Sequence, residues 1–201
     1  MGDTVYCYPN SNVLRNRLDI TEQSELLQIE ADITGERLAE LQISPVQGSF
    51  DFKHLCTIHR RIFHDLFTWA GKPRTVDIGK GNLFCRVQHI ETYAQEVFST
   101  YYRDCASAQN DQTEFIHRLT SHYADLNALH PFREGNGRTQ REFARELCCK
   151  CGYLFDLTRT NHEEMLNASI QSFYADNAEL ERIFSKAVTP NEGRFVILYQ
   201  Y

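Results

Sequence analysis

Residues 130–141 read His-Pro-Phe-Arg-Glu-Gly-Asn-Gly-Arg-Thr-Gln-Arg. They join two segments whose apolar residues have helical spacing, so they are predicted to form a loop between two helices. Gly135 and Gly137 allow backbone conformations that are closed to most residues, and successive N–H groups can then face inward as an anion-binding nest. The helix that follows directs its first N–H groups and the positive end of its dipole to the same place. The stretch therefore predicts a phosphate site at the start of a helix.

Four side chains of this loop have the chemistry of a phosphate-transfer site. Arg138 and Arg141 are three residues apart on one helical face, where both can bind phosphate oxygens. Glu134 is the only carboxylate in the loop and is predicted to hold Mg²⁺ beside a polyphosphate. His130 stands at the loop entrance and is predicted to act as a general base for an incoming hydroxyl. Each feature alone is usually structural, but their occurrence within one short loop favours the functional interpretation.

Long segments without glycine or proline surround the loop and predict helices. A first helix is expected to start near residue 21, and others are expected at about 52–67, 90–105, 111–130, 138–151, 161–173 and 178–187. The apolar stripe of the first consists of Leu26, Leu27, Ile29, Ile33 and Leu38. Asp111 followed by Glu114 resembles a capping box, and Gly152 is placed to end the helix that follows the loop.

One segment breaks the helical pattern. Thr-Val-Asp-Ile at 75–78 alternates polar and apolar residues, and Leu-Phe-Cys-Arg-Val at 83–87 follows the turn Gly-Lys-Gly-Asn at 79–82. Two strand-like runs around a glycine-rich turn predict a β-hairpin. The predicted fold class is therefore all-α, a helical bundle with one small hairpin.

Length and composition are typical of a globular protein. A chain of 201 residues, 42% hydrophobic and 24% charged, can bury a core without disulfides. We expect one domain over residues 1–201, with its core at about 50–190 and an N-terminal helical segment at 6–45. The net charge of −6 argues against direct nucleic-acid binding. With no stretch of roughly 18 apolar residues and no secretion signal, no membrane association is expected, and the cytoplasm is favoured.

The seven cysteines are odd in number and irregular in spacing, which argues against a disulfide framework. Cys148, Cys149 and Cys151 form a cluster, but zinc usually requires a second pair of ligands, and none accompanies them. We therefore expect reduced, structural thiols.

The loop resembles the signature of the Fic family, His-x-Phe-x-(Asp/Glu)-Gly-Asn-Gly-Arg-x-x-Arg, at every specified position from His130 to Arg141. Trp-Ala-Gly-Lys-Pro-Arg-Thr-Val-Asp-Ile at 69–78 resembles the lead-in to that family's hairpin "flap". Tyr-Pro-Asn-Ser-Asn-Val-Leu-Arg-Asn at 8–16 resembles the N-terminal segment of bacterial Fic toxins and of the Fic domains of type IV secretion effectors. The resemblance covers roughly residues 6–190 and implies the Fic fold, with the flap next to the active-site loop.

The resemblance implies a protein adenylyltransferase, which transfers AMP from ATP to a Tyr, Ser or Thr hydroxyl of a target protein. His130 would be the catalytic base. Glu134 would coordinate Mg²⁺ on the α- and β-phosphates, with ATP as co-substrate. Phe132 would anchor the loop in the core.

The ATP phosphates would lie between an anion hole and the two arginines of the loop. Gly135, Asn136 and Gly137 would form the anion hole. Arg138 would hold the β-phosphate and Arg141 the γ-phosphate. Gly137 favours AMP transfer, because the related Doc family, which transfers phosphate, carries lysine at that place.

The flap, at about 77–86, would align the target segment by strand addition. Its target-docking residues would be Asp77, Ile78, Gly79, Asn82 and Phe84. Lys80, with Gly81 beside it in the turn, would contribute to ATP binding, although a solvated turn lysine fits the same pattern equally well.

Many Fic proteins carry an inhibitory helix of the pattern (Ser/Thr)-x-x-x-Glu-(Gly/Asn). Residues 21–25 have the first spacing, but Leu26 follows them; residues 192–193 have the second half, but Val188 stands where Ser or Thr should be. The resemblance therefore implies inhibition by a small antitoxin, whose glutamate would pair with Arg141.

The resemblance suggests two classes of target protein. Short bacterial Fic toxins modify the ATPase subunits of DNA gyrase and topoisomerase IV, and effector Fic domains modify host proteins such as small GTPases. A toxin acting in the bacterial cytoplasm is favoured, with delivery to a host left open. Two alternatives are transfer of UMP or phosphocholine on the same scaffold, and a non-catalytic nucleotide-binding module.

Overall fold

The computed structural model describes residues 4–80 and 82–192, and it is mostly helical over these residues. Its α-helices are α1 (Gln23–Ile43), α2 (Phe52–Phe63), α3 (Ile90–Ser107), α4 (Gln112–Leu129), α5 (Asn136–Lys150), α6 (His162–Phe173) and α7 (Ala178–Ala187). The short strands β1 (Gly79–Lys80) and β2 (Asn82–Leu83) form one antiparallel pair, and β3 (Tyr153–Phe155) and β4 (Val188–Pro190) form another. The predicted fold class is confirmed.

Helix α4 packs against α3, α5, α6 and α7, and α5 packs against α2 and α4. The periodic apolar residues of α4, which are Phe115, Leu119, Tyr123 and Leu126, are all buried, as their spacing predicts. The Asp111 carboxylate caps this helix by accepting from the N–H groups of Thr113 and Glu114. The two helices that flank the loop 130–141 are therefore held on several sides, so the loop has a rigid base.

The predicted limits of two helices are wrong by a few residues. Helix α2 ends at Phe63 rather than 67. The chain then forms a turn in which the N–H of Leu66 bonds to the carbonyl of Phe63, and the Leu66 carbonyl accepts from the N–H of Arg17 in the N-terminal segment. Helix α5 begins at Asn136 rather than 138, because Gly135 in a left-handed conformation already turns the chain into its axis.

The apolar stripe predicted for α1 is also partly wrong. Leu26 is buried, but Leu27 is 57% exposed. The buried face instead includes the polar residues Glu30 and Thr34. The spacing of apolar residues does not predict this face, because its polar side chains contact Arg138 of the loop.

The hairpin is displaced from its predicted position. Gly79 pairs with Leu83 and Lys80 with Asn82, so residues expected in the turn form the strands. Side chains accept hydrogen bonds from backbone N–H groups that longer strands would need for pairing. The Tyr6 hydroxyl accepts from the N–H of Thr75, and the Asp77 carboxylate accepts from the N–H of Val87. Position 81 and the side chains of residues 80 and 82 lie outside the described part of the chain.

A second small sheet accompanies the hairpin. Strand β3 pairs with β4, with Leu154 opposite Thr189. Three-residue strands so far apart in sequence leave no local signal, so the prediction missed them. Gly152, at φ +86°, ends α5 as predicted and turns the chain into β3.

Every cysteine is a free thiol in this structure. Burial raises the pKa of Cys56 to about 12 and that of Cys151 to about 11. No group of three or more His, Cys, Asp or Glu side chains in residues 4–80 and 82–192 is arranged to hold a metal. None of the described helices combines the length and apolar content that a membrane crossing requires.

Candidate active site

A cavity of about 950 Å³ lies where the loop 130–141 meets the hairpin, α4 and α6. It brings together most of the residues that the sequence singled out. Those lining it are Asp77, Ile78, Gly79, Phe84, His130, Glu134, Gly135, Asn136, Gly137, Arg138 and Arg141. The predictions for Gly81, and for the side chains of Lys80 and Asn82, fall outside the described residues.

His130 directly follows α4 and caps its C-terminus in a left-handed conformation, with φ +43° and ψ +59°. Its Nδ1 lies 3.3 Å from the carbonyl oxygen of Asn127, and its ring stacks on Phe84 of the flap at a centroid distance of 3.7 Å. A proton on Nδ1 satisfies the carbonyl and leaves the lone pair on Nε2, as a general base requires. A non-glycine residue held in this strained region is typical of functional sites.

Gly135 is required by both its conformation and its surroundings. Its φ is +81°, and a Cβ atom built there would collide with the ring of Phe63. The same ring lies under the guanidinium of Arg138, 4.8 Å from its Cζ. Phe63 thus supports both the glycine turn and Arg138, a role that no motif in the sequence of α2 marks.

The N-terminus of α5 faces the cavity without a side-chain cap. The first N–H groups of a helix have no intrahelical acceptor, so those at residues 136–138 suit an anion. The Asn136 side chain is engaged elsewhere: its amide bonds to both the N–H and the carbonyl of Phe132, at 2.9 and 2.7 Å. Asn136 therefore closes the loop with its side chain and offers its backbone to the cavity.

The two loop arginines are held differently. The guanidinium of Arg141 lies beside the buried Tyr123. Burial raises the pKa of this tyrosine, and the positive charge of Arg141 partly offsets the rise. A Cβ at Gly137 would lie 3.1 Å from Nη1 of Arg141, so glycine leaves room for that side chain. Arg138 pairs with Glu30 and Thr34 of α1.

Glu134 presents a half-exposed carboxylate to the cavity. One of its oxygens accepts from the N–H of Gly135 at 3.0 Å, and the carboxylate lies 3.9 Å from Arg138. The single backbone hydrogen bond fixes the side chain and leaves acceptor capacity on the second oxygen.

A buried histidine supports the loop from below. His59 Nδ1 accepts from the N–H of Gly71 at 2.8 Å, so the ring proton is on Nε2, which lies 3.0 Å from the carbonyl of Glu134. The ring also stacks on Phe132 at 3.8 Å. Burial and, to a smaller extent, the charge of Arg138 lower the pKa of His59 to about 4, against the opposing effect of the hydrogen bond to the Glu134 carbonyl.

This pKa predicts an acid-dependent loss of stability. An unfolded histidine gains its proton near pH 6.5 and folded His59 only near pH 4, so stability present above pH 6.5 is lost as the pH falls through this window. The contribution to the free energy of unfolding is about 3 kcal/mol. Urea denaturation between pH 7 and 4 measures it. His59→Gln keeps a donor and an acceptor but does not titrate, and an unchanged pH slope in this variant would contradict the prediction.

Arg74 connects the hairpin to the catalytic loop. Its side chain is fully buried and donates to the carbonyls of His130 (3.0 Å), Val76 (2.9 Å) and Cys85. Its own N–H bonds to the carbonyl of Pro131 at 2.8 Å. One guanidinium therefore fixes both arms of the hairpin against the backbone of the histidine.

The loop motif does not reveal the part of the cavity wall that α4 and α6 form. This part includes Tyr123 and Asn127 from α4, and His162, Met165, Leu166 and Ser169 from α6. Asn127 donates to the Ser169 carbonyl at 2.9 Å, which joins the two helices. No motif marks α6, because its place beside the loop follows from tertiary packing.

Comparison with known proteins places the chain in a family. Residues 49–148 match the model described as the Fic/DOC family. The protein adenylyltransferase VbhT of Bartonella schoenbuchensis is 38% identical over 92% of this chain, which spans 39% of that protein's length. The probable protein adenylyltransferase y4lH of Sinorhizobium fredii is 38% identical, over 87% of this chain and 90% of its own length. The probable protein adenylyltransferase Fic of Escherichia coli is 34% identical over 94% of both chains.

Solved structures from Bartonella share the fold. The BepC protein of Bartonella tribocorum with bound AMPPNP superposes with a TM-score of 0.87 at 22% identity, covering 92% of this chain and 96% of that one. The N-terminal Fic domain of a Bartonella quintana effector with bound ADP superposes with a TM-score of 0.85 at 27% identity, covering 94% and 96%. With its intact loop, its cavity and these relatives, the chain belongs to the Fic/DOC family.

Proposed function

We propose that this chain is a protein adenylyltransferase that transfers AMP from ATP to a Tyr, Ser or Thr hydroxyl of a target protein. The observation that carries the proposal is that the histidine, the carboxylate and both arginines of the loop line one cavity with the uncapped N-terminus of α5. Relatives 38% and 34% identical bear the name probable protein adenylyltransferase, and a structural neighbour of 27% identity holds ADP.

The roles of the residues follow from charge and position. The nucleotide phosphates bind at the N-terminus of α5, where Arg138 receives the β-phosphate and Arg141 the γ-phosphate. The target hydroxyl loses its proton to Nε2 of His130, and its oxygen bonds to the α-phosphorus. The bond from that phosphorus to the oxygen it shares with the β-phosphate breaks in line, and pyrophosphate leaves.

The cavity fits Mg²⁺ bound jointly by protein and nucleotide. Glu134 supplies one half-exposed carboxylate beside the phosphate site, and Mg²⁺ typically binds through one or two carboxylates together with phosphate oxygens. When bound, the ion neutralises charge that develops on the phosphates.

We propose that the flap aligns the target by strand addition. Ile78 and Gly79 line the cavity at the start of β1, and Phe84 covers the ring of His130. A target segment paired with this strand would bring its hydroxyl side chain toward the histidine.

Several finer assignments belong to the same proposal. We propose a single domain acting in the bacterial cytoplasm, without direct nucleic-acid or membrane contact. The ATPase subunits of gyrase and topoisomerase IV, or a host protein, are the target classes to test. Because Arg141 lines the cavity, a small antitoxin could place a glutamate against it.

Labelling separates these activities. The chain is incubated with a lysate and ATP labelled in either the α- or the γ-phosphate, with Mg²⁺ present. AMP transfer labels a protein from α-labelled ATP alone, and mass spectrometry shows an AMP adduct on Tyr, Ser or Thr. Label from the γ-phosphate would indicate phosphate transfer, and a UMP or phosphocholine adduct would support the alternative donors. Nucleotide binding with no adduct would indicate a binding module.

A further inference from the structure

We propose that Glu30 and Thr34 of α1 are positioning residues for Arg138, which hold its guanidinium in place to receive a phosphate group of the nucleotide. The inference rests on the proposed function and adds the N-terminal helix to the phosphate site. Helix α1 lies outside residues 49–148, which match the family model.

Besides the Glu134 carboxylate, which lies 3.9 Å away in the cavity, three groups hold the guanidinium of Arg138. Nη2 of Arg138 donates to the Glu30 carboxylate, and Nη1 donates to the Thr34 hydroxyl at 3.1 Å. The same hydroxyl donates to the backbone carbonyl of Glu30 at 2.7 Å. The Phe63 ring covers one face of the guanidinium. The group is thus fixed along two nitrogens and one face.

The location of Glu30 and Thr34 relative to the cavity shows whether they position Arg138 or compete with the nucleotide for it. Arg138 lines the cavity, whereas Glu30 and Thr34 are 6% and 2% exposed and do not line it. They therefore hold the guanidinium from the side away from the cavity. A guanidinium has five N–H donors, so these contacts leave donors for a phosphate. A carboxylate that competed with the nucleotide would have to lie in the cavity.

The arrangement has a clear physical benefit. An arginine side chain has large rotamer freedom, and fixing it when the ligand binds costs free energy. The ion pair with Glu30 restricts the Arg138 side chain already in the folded protein, so this cost does not arise when the ligand binds. The Thr34 hydroxyl selects one orientation of the planar guanidinium. Arg138 is then preorganised for a bidentate contact with phosphate oxygens.

Nucleotide binding tests the inference without knowledge of the target. Calorimetry with Mg²⁺ compares ATP, ADP and AMP binding to the wild-type chain and to Glu30→Gln. We expect the Kd of ATP and ADP to rise about tenfold, the lower end of the loss found when a residue that orients a metal ligand is removed. The Kd of AMP, which has no β-phosphate, should stay unchanged. Glu36→Gln, at an exposed position of the same helix, is the matched control and should bind all three normally.

Substitutions of Thr34 test the role of its hydroxyl separately. They also test the inference if Glu30→Gln does not fold. Thr34→Ser keeps the hydroxyl and should bind ATP normally, whereas Thr34→Val should weaken ATP and leave AMP unchanged. Equal or tighter ATP binding by a folded Glu30→Gln or Thr34→Val would overturn the inference, as would an equal loss for AMP. If the wild-type chain binds no ATP, the proposed function itself fails.

Discussion

Replacing His130 with alanine should lower the rate of AMP transfer by at least about a thousandfold and leave ATP binding within about twofold of wild type. General base catalysis contributes roughly 10² to 10⁴ in rate, and the variant also loses a group that orients the hydroxyl. The phosphates are held by the N-terminus of α5 and the arginines, none of which the substitution removes. The rate of incorporation from α-labelled ATP and the calorimetric Kd measure the two effects.

The left-handed backbone of this position requires a second variant. Alanine is disfavoured at φ +43°, so a loss of activity could reflect a moved loop. Asparagine tolerates this conformation but is not a base at neutral pH, so His130→Asn should be as inactive as His130→Ala. His117→Ala, which removes an exposed histidine from the preceding helix α4, should keep full activity. Unchanged labelling by His130→Asn would rule out the histidine as the base.

Replacing Arg74 with methionine should destabilise the chain by about 3–5 kcal/mol, because each buried polar group left without a partner costs about 1–3 kcal/mol. Methionine fills much of the same space but leaves the carbonyls of His130, Val76 and Cys85 without their donor. Urea denaturation measures the effect. Lys72→Met, which changes an exposed basic residue in the same segment, should leave stability within about 0.5 kcal/mol of wild type.

The same variant should lose AMP transfer more strongly than ATP binding. Arg74 fixes the hairpin and the backbone of the catalytic histidine, whereas the phosphates bind on α5. Measured at a temperature where the variant is folded, the rate should fall by about a hundredfold, a cost typical of a misplaced reacting group. Arg74→Lys should not restore it, since an ammonium lacks the planar fork that reaches separate carbonyls. Normal transfer by folded Arg74→Met would show that the contact is only structural.

The sequence predicted elements whose causes lie within a few residues. The periodicity of α4 placed Phe115 and Leu119 in the core, and the burial of both confirms it. The hairpin was found but displaced, because Tyr6 and Asp77 occupy backbone groups that a strand pattern assumes to be available. The predicted apolar stripe on α1 is partly wrong for a related reason. The inner face of that helix carries Glu30 and Thr34, polar residues that contact Arg138.

The sequence by itself determined the family, the helical fold and the chemistry of the loop 130–141, because glycine turns and the start of a helix are local properties of the chain. Only the tertiary structure placed Glu30 behind Arg138, 108 residues away, and Arg74 beneath His130, 56 residues away. Such contacts depend on how separate helices pack, and neither composition nor periodicity encodes them. The loop identifies the reacting groups, and the packing of distant segments holds those groups in position.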